Sequence, residues 1–208
     1  MMHKGVDVPD GDVLIHTGDF CSAGEYWEMA EALTWFRNLP HARKICVAGN
    51  HDFVAEEDPV FVQDVLGKDV DYLAGTGVDI EGKKFWGSPI QPEFHGWAFN
   101  RSRQYRRDYW DTVMPDNIDV LLTHCPPRGI LDANMRGERV GDKHLFRNVT
   151  TRVKPKLHVF GHIHEARGAK AVGGTAFVNA TLVNLAYQRV YECWVFDWTE
   201  EGLILVSK

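Results

Sequence analysis

Four short polar clusters each close an apolar run: Gly18-Asp19, Gly49-Asn50-His51-Asp52, Thr123-His124 and Gly161-His162-Ile163-His164. Together they offer carboxylate, amide-oxygen and imidazole donors with no thiolate. That inventory suits Mn²⁺, Zn²⁺ or Fe rather than an all-oxygen calcium cage or a structural cysteine zinc site. A glycine stands directly before Asp19, Asn50 and His162, where a missing Cβ lets the backbone turn sharply and come close to an ion or a phosphate.

Strands and helices alternate around these clusters. Val13–His16 reads as a strand, and Ser22-x-x-Glu25 as a capping box opening a helix whose Tyr26, Met29, Ala30, Leu33 and Phe36 recur at helical spacing down to Leu39-Pro40. Lys44–Ala48 is a second strand, followed by a helix from Pro59 to Leu66. Short strands near Val70–Leu73, Val78–Ile80 and Lys84–Gly87 lead to a loop with Pro89 and Pro92 and a helix around Arg101–Trp110. A strand over Ile118–Thr123, a helix from about Gly141 to Val153 and a strand over Leu157–Phe160 follow. The tail reads as strands over Thr175–Asn179, Arg189–Asp197 and Leu203–Val206. The pattern predicts α/β layers with a mixed sheet folded into a sandwich, whose strand ends converge on one rim and gather all four clusters into one site.

The chain has 208 residues, enough for one sizeable core, and is read as a single domain over 1–208. Its 44% hydrophobic and 25% charged residues exclude disordered, collagen-like and membrane classes, and its net charge of −6 argues against a broad nucleic-acid surface. Cys21, Cys46, Cys125 and Cys193 stand singly, which fits a reducing compartment. No apolar run is long enough for a membrane span and the first residues are unlike a signal peptide, so a cytoplasmic location is expected.

In order and placement the four clusters resemble the signature of the calcineurin-like metallophosphoesterases. Ser88-Pro89-Ile90-Gln91-Pro92, Phe94-His95-Gly96-Trp97, His124-Cys125-Pro126-Pro127 and His158–Glu165 further resemble the small metallophosphoesterase-domain-containing branch. The resemblance implies a four-layer α/β/β/α sandwich with mixed sheets. It makes Asp19 the carboxylate bridging two metals. Asn50, His124 and His162 would hold the second metal and His164 the first. His51 would face the leaving-group oxygen as general acid or electrostatic clamp, with Asp52 orienting its ring. A water activated by two cations would attack in line, with Mn²⁺ the leading metal and Zn²⁺ or Fe alternatives.

One departure matters. The D-x-H motif that gives the family's first metal two further ligands, and the strand that carries it, have no counterpart in Met1–Asp12. The sandwich is therefore expected to lack its first strand, with the second metal site stronger than the first and turnover low. Either the natural start lies upstream, or dimerisation or rearrangement covers the exposed strand edges.

Other candidates have plainer readings. His16, His41, His144 and His158 fit no motif position and read as structural or surface residues. His95 stands between pocket wall and packing, and Trp86, Trp97 and Phe99 read as core. The run Arg101, Arg103, Arg106, Arg107 reads as a solvated helix face. Cys125, followed by two prolines, has nothing to depress its pKa and reads as inert.

The function expected is a metal-dependent phosphoesterase acting on a phosphodiester of the cyclic-nucleotide kind or on a phosphomonoester. The alternative is a low-activity nucleotide- or metal-binding regulatory protein. Partners expected are a small phosphoester or nucleotide and a second copy of the chain, with no membrane; nucleic acid is disfavoured by the charge.

Overall fold

The computed structural model describes residues 3–207; Met1, Met2 and Lys208 lie outside the described residues. The elements run β1 (Val13–His16), α1 (Tyr26–Arg37), β2 (Arg43–Cys46), α2 (Phe53–Glu57), α3 (Pro59–Leu66), β3 (Asp71–Tyr72), β4 (Thr76–Ile80), β5 (Lys83–Ser88), β6 (Gln91–Pro92), β7 (Asn100–Arg101), α4 (Arg103–Thr112), β8 (Val120–Thr123), α5 (Lys143–Asn148), β9 (Leu157–Phe160), β10 (Gly168–Val172), β11 (Thr175–Asn179), β12 (Val195–Thr199) and β13 (Gly202–Ser207).

Two main sheets carry the architecture. One is parallel, in the order β1-β2-β3, with Val13 opposite Arg43 and Ile45 opposite Asp71. The other is mixed, in the order β10-β11-β9-β8-β5-β4: its four inner strands are parallel and its two edges are antiparallel hairpin partners. Alternation of side chains along each strand sorts the apolar residues into three cores. Ile45, Val47, Phe85, Val120, Leu122, Val159 and Val178 meet between the sheets, and the Trp194–Leu203 region packs on them. Leu14, Cys46 and Ala48 face the other way, onto Met29, Leu33 and Phe36 of α1 and Val62 and Leu66 of α3. Trp86, Leu121, Phe160 and Phe177 face Trp110 of α4 and Leu145 of α5. Helices, sheet, sheet, helices: the expected four layers are present. Each fully buried side chain of this size, such as Phe36 or Leu121, contributes about 1.5–3 kcal/mol.

Local signals place several helix starts. Asp58 caps α3 by accepting the Phe61 N–H at 3.0 Å, with Pro59 at the first helical position. Ser102 caps α4 through the Tyr105 N–H and Asp142 caps α5 through the His144 N–H. Among the described residues no helix is long and apolar enough to cross a membrane.

Five details depart from the sequence reading. The α1 box lies one turn later, where Glu28 reaches back to the Ala23 and Glu25 amides, because Ser22 precedes an intervening glycine turn at Gly24. The helix expected over 141–153 is regular only to Asn148 and closes in a π turn over Val149–Val153, ended by Lys154 at φ +49°. Residues 189–194 are irregular, and the strand there begins at Val195. The elements α2, β6, β7 and β10 have no counterpart in the sequence reading. Arg106 is not on a solvated face: it is buried against Asp142 at 2.7 Å, and Trp110 Nε1 donates to the same carboxylate oxygen at 3.0 Å. Unpaired, that buried carboxylate would be strongly destabilising.

Candidate metal centre

The four clusters follow the carboxyl ends of β1, β2, β8 and β9, two strands from each main sheet. Gly18 and Gly49 let the two loops of the parallel sheet touch. A Cβ on Gly18, whose φ is +99°, would lie 2.5 Å from the Gly49 nitrogen, and one on Gly49 would lie 2.2 Å from Asp19 Oδ1 and 2.6 Å from His124 Cε1. Gly161 differs: its Cβ would meet only Thr17 Oγ1, at an ordinary 3.5 Å. Close approach therefore explains two of the three glycines.

Backbone strain sits on the site residues themselves. Asp19 has φ +61° and His162 has φ +68°, conformations that are costly for residues with a side chain and cluster at functional positions. The Ile163 N–H closes back on the Gly161 carbonyl at 2.8 Å, a three-residue γ-turn with His162 at its centre. His162 and His164 thus do not share one face of an extended segment, as their spacing suggested; His164 instead opens the short 3-10 turn His164–Ala166.

Asn50 Oδ1 is the hub. It lies 2.8 Å from His124 Nε2 and 2.7 Å from His162 Nδ1, and Asp19 Oδ2 lies 3.3 Å from the same His124 nitrogen. His124 Nδ1 faces the Thr17 carbonyl at 2.8 Å. An N–H donated there leaves the Nε2 lone pair aimed at two oxygens, so the cluster draws in positive charge. Burial works against a charged His124, yet the Asp19 carboxylate outweighs it and raises the pKa. Asp19 in turn is held well below the usual carboxylate range: burial opposes this, but the His124 charge and hydrogen bond and the neighbouring His51 win. Burial pushes His162 down to about 3, so its ring is neutral at neutral pH, with one nitrogen lone pair free to ligate.

His51 and Asp52 divide their work differently from the expectation. The Asp52 carboxylate does not orient the His51 ring. Wholly buried, it accepts the Asp19 N–H at 2.9 Å, the Gly49 N–H at 2.7 Å and the Cys21 N–H at 2.9 Å. It is a clasp between the loops after β1 and β2. Burial and the nearby Asp19 raise its pKa to about 6, while the amide donors pull the other way. The His51 ring is set by the Ser22 carbonyl, 2.7 Å from Nδ1, and the His51 backbone N–H donates to Asp19 Oδ1 at 3.0 Å.

Among the described residues His164 makes no hydrogen bond to the hub; its Nδ1 lies 3.2 Å from the Asn184 carbonyl. Trp97 is a wall rather than core, 4.4 Å from His51 between ring centres and stacked on Phe53. Trp86 and Phe99 are core, and His95 is exposed. His16 stacks on Phe20 at 4.0 Å, and buried His158 meets Thr123 Oγ1 at 2.8 Å. Cys125 is buried, which raises its thiol pKa well above the ordinary value.

These donors fit a divalent cation: oxygens and imidazole nitrogens whose lone pairs face a shared centre, on backbone held rigid around them. Among the described residues no group of three or more His, Cys, Asp or Glu side chains is arranged to hold an ion; the Asn50 amide oxygen is what links His124 and His162.

The family model of calcineurin-like phosphoesterases matches residues 1–166. Human metallophosphoesterase domain-containing protein 1 is 37% identical over 92% of this chain and 66% of its own length. The Caenorhabditis elegans UPF0046 protein K07C11.7 is 39% identical over 88% of this chain and 67% of its own. The chain thus spans about two thirds of the length of these relatives. A solved crystal structure with 15% identity superposes with a TM-score of 0.63, covering 81% of this chain and 79% of that one, a likeness of fold.

Proposed function

The chain belongs to the calcineurin-like phosphoesterase family, and on that footing we propose that it is a metal-dependent hydrolase of phosphodiesters of the cyclic-nucleotide kind, or of phosphomonoesters. The observation that carries this reading is the meeting of Asp19, Asn50, His124 and His162 from four strand ends of two sheets, with His124 and His162 on Asn50 Oδ1 and Asp19 on His124 Nε2. Asp19, Asn50, His124 and His162 would hold a divalent cation, Mn²⁺ suiting their mixed oxygen and nitrogen donors, which would supply polarisation of phosphoryl oxygens and a water of lowered pKa. The chain's own part is threefold. The Thr17 carbonyl fixes the His124 tautomer and so directs Nε2 inward. Asp52 holds the Asp19 and Gly49 loops in register. His51, with Nδ1 on the Ser22 carbonyl, keeps Nε2 for the leaving-group oxygen, to which it donates a proton when protonated.

Binding is proposed to be unequal between two positions. Asp19, Asn50, His124 and His162 are joined by direct side-chain contacts, whereas His164 Nδ1 is taken up by the Asn184 carbonyl. That difference also motivates a second reading, a metal- or nucleotide-binding regulatory protein of low turnover. Manganese titration by calorimetry, paired with hydrolysis of a chromogenic phosphodiester, tests both. The wild type and His51→Ala should bind Mn²⁺ alike, with His51→Ala losing about a hundredfold or more in turnover; His162→Ala should lose binding and turnover together. Turnover that survives His162→Ala refutes the hydrolase reading. Metal binding without turnover in the wild type supports the regulatory one.

A further inference from the structure

Residues 182–190 form a short arm whose tip reaches the metal centre. The Leu182 carbonyl accepts the Val190 and Tyr191 N–H groups at 3.1 and 3.2 Å, and Val183 bridges Arg189. Asn184 organises the tip: its Oδ1 accepts the Ala186 and Gln188 amides at 2.9 and 3.0 Å, and its Nδ2 donates to Gln188 Oε1. Its carbonyl accepts the Tyr187 N–H at 2.9 Å and faces His164 Nδ1 at 3.2 Å. The base of the arm is pinned by Arg167, which donates to the Thr181 and Glu192 carbonyls and lies 4.8 and 4.7 Å from the Tyr191 and Trp194 rings.

This scaffold presents one side chain. Tyr187 has φ +56°, a conformation that is costly for a bulky residue, and the residue is half-exposed. What the strain achieves is position: the ring stands edge-on to His51 at 6.0 Å and to His164 at 5.4 Å. His51 is therefore bordered by two aromatic rings, those of Trp97 and Tyr187. Resting on the phosphoester reading above, we propose that Tyr187 is a specificity-determining residue that contacts the leaving-group side of the substrate and selects phosphoesters carrying a flat aromatic group there.

The test uses calorimetry on the Mn²⁺-loaded chain with two uncleavable ligands, benzylphosphonate and ethylphosphonate. The wild type should prefer the benzyl compound by about five- to tenfold, the size of one aromatic contact. In Tyr187→Ala that preference should collapse to near unity with ethylphosphonate affinity kept, and Tyr187→Phe should retain it. An undiminished preference in Tyr187→Ala overturns the proposal while leaving the phosphoester site intact. Loss of Mn²⁺ binding in Tyr187→Ala also overturns it, because the residue would then serve His164. A wild type that binds neither phosphonate overturns the phosphoester reading and this one with it.

Discussion

Replacing Gly49 by alanine adds one methyl group where two loops and a histidine already touch. The new Cβ would stand 2.2 Å from Asp19 Oδ1, 2.4 Å from the Asp19 nitrogen and 2.6 Å from His124 Cε1. Restoring an ordinary contact of 3.4 Å to the Asp19 nitrogen needs a shift of about 1 Å in a backbone atom that Asp52 holds by hydrogen bond. Overpacking of this kind costs about 1–3 kcal/mol, or roughly 2–10 °C in Tm for a chain of this size. A displacement of about 1 Å at a donor can cost about a hundredfold in turnover. Gly161→Ala is the matched control, since its Cβ meets only Thr17 Oγ1 at 3.5 Å and its φ is not positive. Thermal unfolding, Mn²⁺ titration and phosphodiester hydrolysis should place Gly49→Ala far below the wild type and Gly161→Ala close to it. Indistinguishable behaviour of the two variants would refute the argument that close approach of the β1 and β2 loops builds the centre.

Asp52→Asn must turn an NH₂ group towards at least one of the three amides the carboxylate now accepts, so stability should fall by about 1–3 kcal/mol and Mn²⁺ affinity by about tenfold or more; unchanged values in both would show that the clasp is dispensable. His158 is wholly buried and its pKa is lowered by burial from 6.5 to about 3, so as pH falls the unfolded chain takes up the proton first. The associated stability is present above about pH 6.5 and is lost as pH falls towards 3. Between pH 6 and 4 the slope of unfolding free energy should therefore be smaller in His158→Gln than in the wild type by about 1.4 kcal/mol per pH unit, and identical slopes would contradict this. Cys21, Cys46 and Cys125 are buried and Cys193 is partly exposed, so a thiol reagent should label the native chain at Cys193 alone; labelling that persists in Cys193→Ser would show that the interior opens.

Much of the frame is legible in the residues because local signals and tertiary packing agree. Pro59–Leu66 and Leu157–Phe160 form as read, one by a capped start and the other by an apolar run stopped by glycine. Other elements leave little trace. Phe53–Glu57 is too short to show a helical period, and Gly168–Val172 is made mostly of small residues with weak strand preference and pairs with Thr175–Asn179. Residues 189–194 alternate like a strand but are diverted by Arg167, whose carbonyl and aromatic partners become neighbours only in the fold.

At the centre the residue types single out Asp19, Asn50, His124 and His162, and the fold brings these four side chains together. What they do not reveal is who holds whom. The tautomer of His124 depends on the Thr17 carbonyl, the ring of His51 on the Ser22 carbonyl, and Asp52 on three backbone amides. Backbone groups belong to every residue alike and carry no mark in a sequence. Tyr187 and Asn184 are invisible for a related reason, because only the folded arm brings them to His51 and His164.

Because Asp19 and Asn50 hang from the parallel sheet while His124 and His162 hang from the mixed one, whatever binds among them rivets the two halves of the sandwich across their shared seam. A ligand gripped there resists the parting of the sheets as well as its own escape, and its affinity adds directly to the free energy of unfolding. Melting should therefore climb with the logarithm of cation concentration, and stripping the ion should loosen the joint from its rim inward.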